Sequence, residues 1–187
     1  MILRYRLFIF LKLEYSSEMI QEAKYQDAES IQNLIRIFSE TGKVLFRPID
    51  DIRENITDFI VYKENDQTVG VCSLKAGWGR LAEIRSLGVD PRYLNQGIGT
   101  KMLKASIETA LLTDCDTLFV LTYSVSMFER LGFSIVAKET LPRKVWNDCK
   151  ACLHQTNCDE TAMILSLVSL RNKQSTQVSM SVILNAR

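Results

Sequence analysis

The stretch from Val89 to Leu103, VDPRYLNQGIGTKML, constrains the fold more than any other part of the chain. An apolar strand that ends at Val89 leads through a proline-containing turn to Gly97 and Gly99, and an amphipathic helix follows. Glycines at the start of a helix let the backbone approach a ligand closely, and the unpaired N–H groups and the helix dipole favour an anion. The stretch therefore predicts a diphosphate-binding turn, although glycines at this spacing also shape ordinary loops.

The segments on both sides of this turn have the periodicity that such a site requires. Leu81 to Val89 alternates like a strand, so Glu83, Arg85 and Leu87 are expected on the same face as Val89. The opposite face is then expected to carry Ala82, Ile84, Ser86 and Gly88. The following helix has apolar residues, mostly on one face, at Ile98, Met102, Leu103, Ile107, Ala110 and Leu111.

The rest of the chain alternates between helical and strand patterns, which indicates an α/β sheet. Further helices are expected near residues 28–38, 50–58 and 125–131. Further strands are expected at residues 59–63, 68–76, 118–123, 133–137 and 162–168. The first two of these strands are joined through Asn65-Asp66, which predicts a hairpin.

Composition limits the classes of partner. The 23 basic and 22 acidic side chains nearly cancel, so we expect neither nucleic acid nor a membrane surface as a partner, and any anion site must be local. The apolar run from Leu7 to Leu11 is far shorter than the roughly 20 residues that cross a bilayer. An odd count of 5 cysteines without a convincing signal peptide favours reduced thiols in a cytoplasmic protein.

Two motifs resemble the GCN5-related N-acetyltransferases (GNATs). The family's signature for acetyl-CoA has Arg or Gln, two residues, Gly, one residue, and Gly or Ala; Leu94 to Gly99 matches it at both glycines, with Leu94 at the first position. The second motif is Met127 to Phe133, MFERLGF. The resemblance implies one α/β domain at residues 19–167, with a mixed sheet of about six to seven strands flanked by helices. Residues 1–18 then form an extension and residues 168–187 a tail.

The same resemblance implies acetyl-CoA as co-substrate, bound by the strand end and the glycine turn. The implied cofactor-binding residues are Leu87, Gly88, Val89, Asn95, Gln96, Gly97, Ile98, Gly99 and Thr100. Backbone N–H groups of residues 87–89 are the expected donors to the oxyanion of the reaction.

Acetyl transfer to an amine also needs a base and an acid. Glu83 lies on the strand that leads to the turn and is the candidate base, acting through water; the alternative is an ion pair with Arg85. Many family members carry the acid as a tyrosine where this chain has Phe128, so Thr122 or Tyr123 is the candidate acid. Ser124 and Ser126 are weaker candidates, because serines at a helix start often serve as caps.

Further segments resemble the short, kinase-free N-acetylglutamate synthase-like enzymes of bacterial arginine biosynthesis. They are residues 83–87 (EIRSL), 118–122 (LFVLT), 141–146 (LPRKVW) and 148–159. This resemblance implies L-glutamate as the acceptor, with Arg47 on one carboxylate and Arg143 or Lys144 on the other. Arg85 is a further candidate for substrate binding, and a basic residue on such a loop can equally be solvated.

Three interpretations of function remain open at this level. The first is the amino-acid N-acetyltransferase, the second is an acetyltransferase of another small-molecule or protein amine, and the third is a non-catalytic acyl-CoA-binding module. No metal is favoured, although Cys149, Cys152, Cys158 and His154 have residue types that bind zinc. The oligomeric state is left open, and a homo-oligomer is compatible with the sequence.

Overall fold

The computed structural model of the chain describes residues 19–142 and 158–173. Their strands form one seven-stranded sheet in the order β1-β2-β3-β4-β5-β7-β6. The strands are β1 (Ile20–Glu22), β2 (Phe59–Glu64), β3 (Gln67–Trp78), β4 (Leu81–Val89), β5 (Thr117–Thr122), β6 (Ser134–Ile135) and β7 (Thr161–Ser166). The prediction of a mixed α/β sheet of about six to seven strands is confirmed.

Helices flank this sheet. They are α1 (Ala28–Ser39), α2 (Ile49–Glu54), α3 (Ile98–Leu111) and α4 (Val125–Glu129), with short 3-10 turns between some elements. The second helix is shorter than expected, because Asn55 leaves the helical conformation and a separate turn follows at Ile56–Asp58. In the part of the chain that the structure describes, no helix is both long and apolar enough to cross a membrane.

The first four strands form an antiparallel meander. Asn65 and Asp66, between β2 and β3, both have positive φ, at 50° and 62°. Two such residues are what a type I′ turn requires, and this turn matches the twist of the strands that it joins. The predicted hairpin is therefore confirmed.

The later strands are arranged differently. β5 runs parallel to β4, and the crossover between them contains α3. β7 then inserts antiparallel between β5 and β6. Strand β6 has only two residues, both exposed, which is shorter than the predicted strand at residues 133–137.

Apolar side chains cover both faces of the sheet. On one face α1 and α2 pack against residues such as Phe59, Val61 and Val71. On the other face α3 contributes Met102 and Leu103 to a larger core. Burial of this apolar area is the main force that fixes the helices on the sheet, and it holds α3 at the edge where the glycine turn begins.

The chain continues past β7 as a helical segment at residues 167–173, which crosses the domain boundary expected at residue 167. Leu170 packs against the larger core. The Arg171 guanidinium donates to the carbonyl oxygens of Leu111 at 3.1 Å and Thr113 at 2.8 Å. A cation at the C-terminal end of a helix satisfies carbonyl groups that have no partner within the helix, so this segment caps α3.

Candidate functional site

The glycine turn, residues 94–99, joins the end of β4 to α3 through left-handed backbone. Asn95 has φ 63° and Gly97 has φ 75°, and Gly97 is the N-cap residue of α3. No side chain caps this helix, so its first N–H groups are not used by a capping oxygen. A helix start of this kind is suited to an anion.

A cleft of about 950 Å³ runs from the glycine turn across the ends of β4 and β5 to the loop between α1 and α2. It opens because β4 and β5 are paired only at Leu81–Glu83 and 117–119, beyond which the ladder stops. All but one of the predicted cofactor-binding residues line the cleft; Gln96 does not. The structure thus brings the strand end and the turn together on one wall.

A β-bulge in β4 corrects the predicted alternation of that strand. Ser86 has φ 53°, and the pairing with β3 shifts there, from Arg85 opposite Ser73 to Gly88 opposite Val71. The extra residue reverses the sides of the strand that follow it. Val89 therefore joins the α3 core together with Ile84, and not the face of Glu83 and Arg85.

The same bulge brings Gly88 to the α1 side of the sheet. A Cβ atom at Gly88 would lie 2.9 Å from the Phe38 ring of α1, so only glycine fits without a shift of that ring. Leu87 falls between the two paired positions and lines the cleft. Gly88 therefore adds only backbone atoms to the cleft wall at this level.

Glu83 and Arg85 lie on the cleft wall below the bulge, and both are half-buried. Glu83 is opposite Lys75 on β3 and next to Phe119 on β5, at the last residue of the parallel ladder. The strands separate immediately beyond this position, so the carboxylate lies where the cleft begins. This placement suits a group that acts on a substrate in the cleft.

Arg47 is buried at the far end of the cleft, between α2 and the bulge. Its Nη1 donates to Asp51 Oδ2 at 3.1 Å, and its Nε donates to Ser86 Oγ at 3.4 Å. Asn55 Nδ2 donates to the other Asp51 oxygen at 3.2 Å. These contacts fix the guanidinium beside β4, so it presents an oriented positive charge to the cleft.

Thr122 and Tyr123 lie at the end of β5 and line the cleft. Thr122 Oγ1 accepts a hydrogen bond from the Ser124 N–H at 2.9 Å, which is a local turn contact. The Tyr123 hydroxyl donates to Asp159 Oδ1 at 2.8 Å. Desolvation and the neighbouring Asp159 carboxylate both raise the pKa of Tyr123, so its hydroxyl keeps its proton at neutral pH.

Phe128 forms an apolar part of the cleft wall. It is buried and meets the Phe133 ring edge-on, with 5.2 Å between ring centroids. Aromatic pairs prefer this geometry, and it holds α4 firmly on the core. The position therefore supplies packing and no proton.

Several predicted residues lie outside the described part of the chain. They are Arg143, Lys144, Cys149, Cys152 and His154. Cys158 is described and lines the cleft. Among residues 19–142 and 158–173, no group of three or more His, Cys, Asp or Glu side chains is arranged to hold a metal.

Sequence reasoning missed three acidic residues that line the cleft or bind residues lining it. Asp51 binds Arg47, Asp159 binds Tyr123, and Glu160 lines the cleft itself. Arg47 precedes the N-cap Pro48 of α2 and Asp51 lies in its first turn, so the two are close in sequence, but helical periodicity does not pair them. Tyr123 and Asp159 are 36 positions apart, and no local pattern connects them.

The family model described as "Acetyltransferase (GNAT) family" matches residues 21–133. An uncharacterized N-acetyltransferase of Chlorobaculum tepidum is 33% identical over 148 residues, which is 79% of this chain and 96% of that protein. An amino-acid acetyltransferase of Mycobacterium tuberculosis is 26% identical over 134 residues, covering 70% of this chain and 76% of that protein.

A solved structure shares the fold. It is N-acetylglutamate synthase from Neisseria gonorrhoeae, complexed with coenzyme A and N-acetyl-glutamate. Its TM-score is 0.71 at 24% sequence identity, and the match covers 79% of this chain and 34% of the synthase. This chain thus spans about a third of that enzyme's length.

Proposed function

The chain belongs to the GNAT acetyltransferase family, and from this premise we propose that it transfers acetyl from acetyl-CoA to the α-amine of an amino acid, with L-glutamate favoured. The observation that carries the proposal is one cleft with an anion-binding turn at one end and the buried Arg47 at the other. In this assignment the protein is an N-acetylglutamate synthase, which catalyses the first step of arginine biosynthesis.

The turn end of the cleft suits the diphosphate of CoA. The first N–H groups of α3 have no side-chain cap, and Gly97 leaves space for close approach. Coenzyme A is bound in the Neisseria synthase that shares this fold, which supports the same use here.

The acceptor end suits a carboxylate. Arg47 offers a planar fork that matches a carboxylate in a bidentate manner, and Arg85 lines the same wall. The Mycobacterium tuberculosis relative is an amino-acid acetyltransferase, which supports an amino acid as the acceptor.

The proposed reaction assigns one step to each group. Glu83, through water, accepts a proton from the acceptor ammonium, and the freed amine attacks the thioester carbonyl carbon. The oxyanion accepts hydrogen bonds from backbone N–H groups of residues 87–89. The C–S bond then breaks, and the leaving thiolate takes a proton from Thr122 or Tyr123. The attacking nitrogen loses its second proton as the amide forms, and this proton restores that hydroxyl group.

A specific observation favours a second candidate acceptor. Glu160 lines the cleft beside Tyr123, and Tyr123 in turn binds Asp159. Two carboxylates beside Tyr123 would attract an additional ammonium group, so a diamine or a lysine side chain is the alternative substrate class.

Release of free CoA thiol with a panel of acceptors tests the proposal. We expect acetyl-CoA consumption that depends on L-glutamate and is slower with glutamine, lysine and spermidine. Preference for lysine or spermidine would support the second candidate and contradict the assignment to glutamate. Absence of acceptor-dependent thiol release would contradict the proposed reaction and support a non-catalytic CoA-binding module.

Replacing Gly97 with alanine should weaken CoA binding. Gly97 and Gly79 have nearly the same φ, 75° and 72°, and a Cβ on either meets nothing within 4 Å. Alanine should therefore lower the free energy of unfolding by a similar amount at both sites, roughly 1–2 kcal/mol, because both residues have left-handed backbone. Only at Gly97 does the methyl group face the diphosphate, so calorimetry should show about a tenfold loss of CoA affinity there.

Gly79→Ala is the matched control, because Gly79 lies in the β3–β4 turn and does not line the cleft. The two variants should have similar melting temperatures. Equal CoA affinities in both variants would show that the glycine turn does not hold the diphosphate.

A further inference from the structure

The glycine turn has no cationic side chain of its own that could pair with a bound anion. From residue 93 to residue 100 the cleft is lined by uncharged residues, and Leu94 is 50% exposed. CoA carries several negative charges on its phosphates. Backbone N–H groups alone supply only partial positive charge.

The two cations nearest in sequence to the turn are engaged elsewhere. The Arg92 side chain donates to both Asp90 oxygens, at 3.0 and 2.7 Å. Lys101 Nζ lies 5.8 Å from the centre of the Tyr62 ring. Neither side chain lines the cleft.

Arg130 reaches the same cleft from α4. It is the C-cap residue of that helix, is exposed, and lines the cleft. Its guanidinium makes no hydrogen bond or ion pair with the residues that the structure describes. It is therefore available to a ligand.

Arg130 is held next to the turn by rigid packing. A Cβ atom at Gly99 would lie 3.7 Å from Met127 Sδ, which shows that α4 abuts the start of α3. The backbone of Arg130 is anchored by Phe128 and Phe133, whose rings are buried on either side of it. The backbone of Arg130 is thus fixed before a ligand binds, so binding orders only its side chain.

We propose that Arg130 binds the diphosphate of CoA and supplies the cation that the glycine turn lacks. The inference rests on the proposed use of CoA and adds a residue outside the turn itself. Guanidinium and phosphate form strong, charge-assisted and often bidentate hydrogen bonds. One phosphate group would then be held between the N-terminus of α3 and the side chain that follows α4.

Calorimetry of CoA binding without an acceptor tests the proposal. Arg130→Ala should lose about tenfold in CoA affinity, the scale of a hydrogen bond to a charged group. The loss should shrink at high salt, because ions screen an exposed charge pair. Lys104→Ala is the control, since Lys104 is an exposed cation on α3 that does not line the cleft, and its affinity should stay at the wild-type value.

Two further arms locate the contact. Dephospho-CoA lacks the 3′-phosphate, so Arg130→Ala should weaken its binding by the same factor; a loss seen only with CoA would overturn the diphosphate assignment. Leu94→Arg places a new cation on the turn and should recover most of the affinity lost in Arg130→Ala. No recovery would show that the lost contact was not at the turn.

The outcome is separable from the proposed function. If the wild-type protein binds CoA and Arg130→Ala binds it equally well, only the role of Arg130 fails. If the wild-type protein does not bind CoA at all, the proposed function fails together with this inference.

Discussion

Glu83→Gln is expected to lower turnover by about 10² or more, the scale for loss of a general base, while CoA affinity stays unchanged. Glutamine has the same shape as glutamate and keeps hydrogen-bonding capacity but cannot accept the ammonium proton. Glu83 lies at the last paired position of β4 and β5, where the cleft begins. Steady-state kinetics at saturating acceptor, with calorimetry of CoA binding, measure the two quantities separately.

Glu64→Gln is the matched control for this variant. Glu64 is also a half-buried strand glutamate, but it ends β2 and does not line the cleft, so turnover should remain at the wild-type level. Wild-type turnover in Glu83→Gln would reduce Glu83 to a structural partner of Arg85.

Arg47→Ala should lower kcat/KM for L-glutamate by about 30- to 150-fold, which corresponds to roughly 2–3 kcal/mol for a charge-assisted bidentate contact. The Arg47 guanidinium is buried and already oriented by Asp51 and Ser86, so the substrate meets a preformed site. Comparison of glutamate with glutamine shows which carboxylate Arg47 binds. If Arg47 binds the side-chain carboxylate, the variant should lose less with glutamine.

Arg53→Ala is the control, because Arg53 lies on α2 but pairs with Glu29, at 2.6 Å, away from the cleft. Arg47→Lys keeps the charge and loses the fork, so it should fall between wild type and Arg47→Ala. Thermal melting checks that each variant is folded. Unchanged glutamate kinetics in a folded Arg47→Ala protein would remove Arg47 from the acceptor site.

Features that depend on local patterns were predictable from the sequence. Asn65-Asp66 indicates the hairpin, and the apolar spacing after Gly99 indicates α3, because turn chemistry and periodicity act over a few residues. The position of the glycine turn between a strand and a helix follows for the same reason. These elements placed most of the expected cofactor-binding residues on one cleft wall.

The bulge in β4 could not be predicted in this way. The two consecutive polar residues Arg85 and Ser86 interrupt the alternation of Leu81–Val89, but residue types alone do not mark Ser86 for positive φ. The bulge becomes evident only when β4 is aligned with β3, since it is a mismatch between two strands. The prediction for Val89 was wrong on this account.

The acceptor end of the cleft was predictable only in part. The resemblance to N-acetylglutamate synthase-like enzymes identified Arg47 as a candidate. Its burial, however, depends on contact with Ser86, 39 positions away. The link from Tyr123 to Asp159 likewise needs β5 and β7 to be neighbours in the sheet. Long-range pairing of this kind follows from topology, which residue types alone do not specify.

The short parallel ladder between β4 and β5 also bears on the resistance of the protein to proteolysis. Its backbone ladder joins two antiparallel units, β1 to β4 and β5 to β7, at only three residue pairs, and the core under α3, which includes Ile84 of β4 and Leu118 of β5, also spans the two units. Separation of the two units would open that core and expose the chain to proteases. A ligand in the cleft contacts both units and binds only the assembled form, so it opposes their separation by mass action. In the proposed function, resistance to degradation therefore rises and falls with the supply of acetyl-CoA.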